Sequence, residues 1–102
     1  MSDDRRKHIL DGDDQGGGGH GAGRDRPNKT EFPSDWSDDQ AINAIKDVAN
    51  DPGSLREIEA DGRIKVIGTR NGVDIRVIIE PDRKTVVTAY PTNLPRNPRG
   101  ER

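Results

Sequence analysis

Asn71-Gly72 limits what this chain can fold into more than any other pair of residues. It separates Arg63–Arg70 ("RIKVIGTR") from Val73–Glu80 ("VDIRVIIE"), two runs whose apolar residues recur at alternate positions. An Asn-Gly pair accepts the two positive φ angles of a type I′ turn at little steric cost, and the twist of that turn matches the strands it joins. The pair predicts an antiparallel hairpin. In the second run Val73, Ile75, Val77 and Ile79 share one face, the core face, while Asp74, Arg76 and Ile78 share the other. A run starting at Leu55 and another over Lys84–Tyr90 ("KTVVTAY") extend the pattern to a meander of about four strands. Asp61-Gly62 is read as a second turn of the Asn-Gly kind, and Pro81–Lys84 ("PDRK") as the third turn. On the last run Val87 and Ala89 are assigned to the core, which leaves Thr88 and Tyr90 side by side on the open face.

Upstream the period is helical. Ala41, Ile42, Ile45, Val48 and Ala49 fall on one face, and "SDDQ" at Ser37–Gln40 has the order of a capping box, with Asp38 and Asp39 favourable in the first turn. Trp36 is placed to staple onto Ala41, and "NDPG" at Asn50–Gly53 ends the helix. A shorter helix is expected over Asp3–Leu10, stopping near Gly12. The expected fold class is α+β: a short N-terminal helix and one capped helix packed on an antiparallel sheet of about four strands. With 102 residues there is room for one domain, drawn here over residues 1–94. Residues 95–102, with Arg96, Arg99 and Arg102, are assigned to a basic, disordered tail.

Only 27% of the residues are apolar and mean hydropathy is -1.05, a balance that leans toward disorder. The apolar residues are concentrated between Phe32 and Pro91, however, so that portion is expected to fold. There is no cysteine, which excludes disulfides and zinc-thiolate sites. No apolar run approaches the ~18 residues of a membrane span, and charges stand where a signal peptide has its apolar segment, so no membrane contact and no export signal are expected. A net charge of -2 argues against non-specific coating of nucleic acid.

The candidate chemistry is concentrated in residues 5–36. The two histidines, His8 and His20, flank four consecutive glycines in a segment too polar to form a core. A histidine pair can hold one ring neutral as a base and one protonated as an acid near neutral pH, which suits attack of an RNA 2′-hydroxyl on its own phosphodiester. Which ring is the base is left open. Gly18, Gly19 and Gly21 are read as a loop whose amides approach a phosphate, against the alternative of a plain linker. "DGDDQG" at Asp11–Gly16 imitates a calcium loop through Asp11, Asp13 and Gly16, but the twelfth position is Ala22 where a bidentate Glu is required. No metal site is expected. Lys29 in "NKTEFP" can offer a fixed positive charge to a phosphorane, Thr88 a hydrogen bond to phosphate, Tyr90 a stacking surface for a base, and Arg76 a cation beside them.

Taken in order, "HILDGDDQGGGGHGAG", "KTEFPSDWSDDQAINAIKDVANDP", "NGVDIRVIIEP" and "VVTAYP" closely resemble the bacterial EndoU nuclease family, found as C-terminal toxin domains of polymorphic and contact-dependent inhibition systems. The resemblance runs from about His8 to Pro91, with a shorter spacing between the histidines than the family shows. It implies a ribonuclease-A-like toxin fold and a metal-independent endoribonuclease without cofactor, which leaves a 2′,3′-cyclic phosphate and a 5′-hydroxyl. It carries the two catalytic histidines onto His8 and His20 and the hydroxyl and aromatic positions onto Thr88 and Tyr90, with Lys29 or Thr88 as the third group. It also implies RNA, with tRNA foremost, as substrate, a cognate immunity protein as partner, and a monomer when free. Export would be as part of a larger effector delivered to the cytoplasm of a target cell. Two rivals stand beside it: a non-enzymatic module that binds calcium or a partner through the Asp/Gly loop, and a nuclease acting on DNA. The second is chemically weak, since DNA lacks the attacking hydroxyl.

Overall fold

A computed structural model describes residues 2–12, 17–24, 29–82 and 85–97. Asp13 and Gly16 of the calcium-loop imitation, Arg83 and Lys84 of the third turn, and Arg99 and Arg102 lie outside the described residues. The elements are α1 (Asp3–Asp11), α2 (Asp38–Asn50), β1 (Leu55–Ile58), β2 (Ile64–Arg70), β3 (Val73–Ile79) and β4 (Val86–Pro91). The strands form one antiparallel sheet in the order β1-β2-β3-β4, and the α+β expectation holds.

Both helices start as the sequence indicates. Ser37 Oγ accepts the Gln40 amide at 3.1 Å, and Ser2 Oγ accepts the Arg5 amide at 3.2 Å, each filling an orphan donor of the first turn. Ala41, Ile42, Ala44, Ile45 and Val48 of α2 are buried against Val66 of β2 and the alternating Val73, Ile75, Val77 and Ile79 of β3. Ile9 and Leu10 of α1 join the same core, as does Phe32. Trp36 enters it by stacking on Phe32, with ring centroids 5.9 Å apart and planes 13° from parallel.

Asn71 and Gly72 have φ of 51° and 78°, as a type I′ turn demands. The Asp61-Gly62 turn differs from the expected kind. Only Gly62 has a positive φ, 89°, and the loop closes through Gly62 N–H to the Glu59 carbonyl and Glu59 N–H to the Arg63 carbonyl. This is a three-residue connection with the glycine at the left-handed position, which leaves Asp61 no need for positive φ. Asp61 instead accepts the Arg63 amide through its carboxylate at 3.0 Å.

β4 holds a second correction. Its register against β3 slips between Ile78 and Ile79, so that Thr88 faces Ile78 but Val86, not Val87, faces Ile79. The bulge places the extra residue, Val87, out of the core, and Val86 packs against it instead. The Val87 carbonyl accepts Arg5 Nη1 from α1 at 2.9 Å. Ala89, Thr88 and Tyr90 lie beyond the bulge and keep the expected faces.

Residues 95–97, assigned from sequence to the tail, lie against the strand-like segment at Lys29–Glu31. Thr30 and Arg96 form an antiparallel bridge, the Asn97 amide donates to the Lys29 carbonyl at 2.7 Å, and Asn97 Nδ2 donates to Glu31 at 2.9 Å.

The layering predicts a sharp contrast between two isoleucines. Ile45, fully buried in α2, should lose about 2–5 kcal/mol of stability as Ile45→Ala. Ile58, 70% exposed on β1, should change stability by no more than about 0.5 kcal/mol as Ile58→Thr. Urea unfolding of both variants tests the contrast.

Candidate active site

The last carbonyls of a helix have no partner within it. In α1 they are taken by the returning glycine loop: Gly12 and Gly19 amides donate to the His8 carbonyl at 3.0 and 3.2 Å, His20 to Ile9 at 2.7 Å, and Gly21 to Leu10 at 2.9 Å. The glycines are what allow so close a return. Gly18, at φ 68°, would place an added Cβ 1.9 Å from the His8 carbonyl oxygen. The amides of Gly19 and Gly21, read from sequence as donors to a phosphate, are therefore committed to α1. The loop's structural work is to seat His20 at the helix end.

His20 is buried, 6% exposed. Its Nδ1 lies 2.6 Å from the Thr30 carbonyl, which can only accept, so Nδ1 carries the proton and the neutral ring has its lone pair on Nε2. Thr30 Oγ1 donates to the Pro91 carbonyl at 2.8 Å, which ties this carbonyl to the end of β4. Burial lowers the His20 pKa below 6.5; the bond to Thr30 opposes the shift, and the charges of Lys29, His8 and Arg96 add to it. The ring stacks on Tyr90 at 5.3 Å and 30°. Across the β3–β4 ladder Arg76 faces Tyr90, with Nη1 3.3 Å from the phenol oxygen and its guanidinium carbon 5.7 Å from the ring centroid, within cation–π range.

His20, Lys29, Arg76 and Tyr90 thus line one open cleft of about 390 Å³. Thr30, Thr92, Leu94 and Arg96 also line it, and none of the described lining residues is a carboxylate. His8 sits half-buried on α1 outside the lining, near enough for its charge to act on His20. Thr88 lies on β4 two residues from Tyr90 but is not part of the lining; its hydroxyl is buried, and neither it nor Arg76 Nε has a hydrogen-bond partner among the described residues. Gly18, Gly19 and Gly21 lie behind His20, outside the lining. Sequence reasoning missed Thr30 and Arg96. The first had a signal, its place beside Lys29 in "NKTEFP"; the second stands between Pro95 and Pro98, where no periodicity marks a folded segment.

A family model described as "Bacterial EndoU nuclease" matches residues 24–93, which include Lys29, Arg76, Thr88 and Tyr90 and begin after both histidines. No curated protein and no solved structure matches the chain.

Two variants separate steric from conformational roles in the loop. Gly18→Ala meets both a positive φ and the His8 carbonyl, whereas Gly23→Ala, at φ 80°, meets no atom within 4 Å. Gly23→Ala should destabilise by about 1–2 kcal/mol from backbone strain and Gly18→Ala by clearly more, read by denaturant unfolding. A pH series tests the buried imidazole. With the folded pKa below 6.5, the unfolded chain binds more protons in the window between the two values. The contribution to stability is complete above pH 6.5 and is lost as pH falls through the folded pKa. Melting temperature should therefore fall more steeply from about pH 7.5 to about pH 5.5 in the wild type than in His20→Asn, which removes the titrating group.

Proposed function

The chain belongs to the bacterial EndoU nuclease family, and from that premise we propose that it is an endoribonuclease that cleaves RNA through its own 2′-hydroxyl, without a metal. His20 Nε2 removes the 2′-proton, the 2′-oxygen attacks phosphorus, and the 5′-oxygen departs with a proton. The products are a 2′,3′-cyclic phosphate and a 5′-hydroxyl. One observation carries the reading: a buried imidazole with its tautomer set by Thr30 stands in a cleft walled by Lys29, Arg76 and Arg96. A base must be neutral in the resting enzyme, and burial among cations keeps His20 so. The same cations suit the charge that develops on a pentacoordinate phosphorane.

In this reading His8 is the proton donor to the leaving oxygen, Lys29 is the charged third group, and Tyr90 holds the imidazole in plane. Thr88 is the weaker choice for the third group, because its hydroxyl is buried outside the cleft wall. The proposed substrate is a structured RNA such as tRNA. The proposed use is competition between bacteria, with delivery into a target cell as part of a larger effector and neutralisation by an immunity protein. The support for these last steps is the order of motifs from His8 to Pro91.

Wild-type protein should cleave tRNA in excess EDTA and leave DNA intact, with fragments that carry cyclic phosphate ends. His20→Asn should lower kcat about 10²–10⁴-fold, the usual contribution of a general base. The acid limb of kcat/KM should lie below pH 6.5, because the base is active only when unprotonated and its pKa is lowered. Cleavage that stops in EDTA, or 3′-phosphates that never pass through a cyclic form, would count decisively against the mechanism.

A further inference from the structure

Resting on the endoribonuclease reading, we infer that Thr30 is a positioning residue. Its hydroxyl keeps His20 in the tautomer of a base and couples the two supports of the ring, the Thr30 carbonyl at its edge and Tyr90 on its face.

A threonine hydroxyl has one proton to give. In Thr30 it goes to the Pro91 carbonyl at 2.8 Å, an acceptor with no proton of its own. The same Oγ1 lies 3.4 Å from His20 Nδ1, so towards the ring it presents only lone pairs. The Thr30 carbonyl, at 2.6 Å, presents lone pairs as well. Nδ1 thus faces two acceptors from one residue, and only the Nδ1–H form of the neutral ring meets them favourably. A hydroxyl free to turn could instead donate to a bare Nδ1, which would put the proton on Nε2 and remove the base. Pro91 closes that route by taking the hydroxyl proton.

Burial makes the lock rigid. Thr30 is 6% exposed and Pro91 is among the fully buried side chains, so their bond is shielded from bulk water. Pro91 directly follows Tyr90 on β4, and Tyr90 stacks on the imidazole at 5.3 Å. The Thr30–Pro91 bond therefore joins the segment that holds the edge of the ring to the strand that holds its face. A slip of one against the other would carry Nε2 out of line with the cleft. The two acceptors also favour the imidazolium that a base becomes, against the burial that lowers the His20 pKa. Among the described residues the charged or titratable groups around the ring are His8 on α1, Lys29 and Arg96 on the bridged segments, and Arg76 and Tyr90 on β3 and β4. A change at Thr30 removes none of them.

The test is nitrogen NMR of His20 in the whole chain without RNA, in which the two ring nitrogens report which one carries the proton. Wild type should show a neutral ring with Nδ1 protonated. Thr30→Val keeps the shape and the carbonyl but loses the hydroxyl; it should mix the two tautomers and move the His20 titration to lower pH. It should also lower kcat on RNA about tenfold with KM little changed, the scale of one hydrogen bond to a charged group. Thr30→Ser, which keeps the hydroxyl, should restore most of each, and melting curves establish that the variants are folded. The wild-type spectrum is decisive even if Thr30→Val does not fold, because a proton on Nε2 would overturn the inference. So would a wild-type tautomer and titration in folded Thr30→Val, or a Thr30→Ser that behaves like Thr30→Val. Because the tautomer is read without cleavage, a chain with the expected spectra that leaves RNA intact would end the endoribonuclease reading and leave the positioning of His20 by Thr30 standing.

Discussion

The carbonyl end of α1 is the constraint on which the rest of the site depends. A buried backbone acceptor left without a donor costs about 1–3 kcal/mol, so these groups must be satisfied by something. Consecutive amides of Gly19, His20 and Gly21 satisfy them, and the catalytic candidate is therefore held by its own main chain. The His20 carbonyl then accepts the Phe32 amide at 2.9 Å, and Phe32 stacks on Trp36, directly before the cap of α2. Arg24 reinforces the join from outside, bonding Asp11 at the end of α1 and both carboxylate oxygens of Asp38 at the start of α2. One continuous set of bonds thus runs from the first helix through the site residue to the second.

The fold was legible where a local rule leaves little choice. Asn71-Gly72, the Ser37 cap and the alternation of Val73 to Ile79 each encode their geometry within a few residues, and all three hold. The misreadings share a different cause. The bulge at Val87 is a matter of register between strands, which an alternating pattern on one strand does not record. The glycine run was read by composition as a place for a ligand, while its partner proved to be the end of the helix just before it. Thr30 and Arg96 matter because they pair across 66 positions, and neither neighbourhood alone contains that pairing. Among the site residues, His20, Lys29, Arg76 and Tyr90 were identifiable because their side chains are chemically informative, whereas the group that orients His20 is a backbone carbonyl, which every residue has.

Net charge also conceals the electrostatics of the site. The chain is formally at -2, yet none of the described residues of the cleft wall is a carboxylate. Several acids are paired elsewhere, Asp39 with Arg6, Asp38 with Arg24, Glu80 with Arg63 and Asp51 with Arg70. Such pairs are partly exposed and contribute modestly to stability, but they neutralise arginines that would otherwise add positive charge to other surfaces. The cations of the described wall, Lys29, Arg76 and Arg96, are grouped in one place.

Under the proposed mechanism, the same arrangement lets a depressed imidazole act as a base. Burial and the charges of Lys29, His8 and Arg96 all disfavour the imidazolium form, so in the empty cleft His20 stays neutral but is a weak proton acceptor. A bound phosphodiester brings a negative charge into the same low-dielectric space and offsets those cations. In the proposed mechanism, charge accumulates on the phosphorane oxygens as the 2′-oxygen attacks, and the imidazolium that forms is then opposite an anion. Proton transfer becomes favourable as the phosphorus centre gains charge, and the Thr30 carbonyl, already bonded to Nδ1–H, strengthens its hold on the charged ring. In that proposal the depressed pKa of the resting site and the basicity needed in the reaction are two states of one electrostatic balance, switched by the substrate's own phosphate.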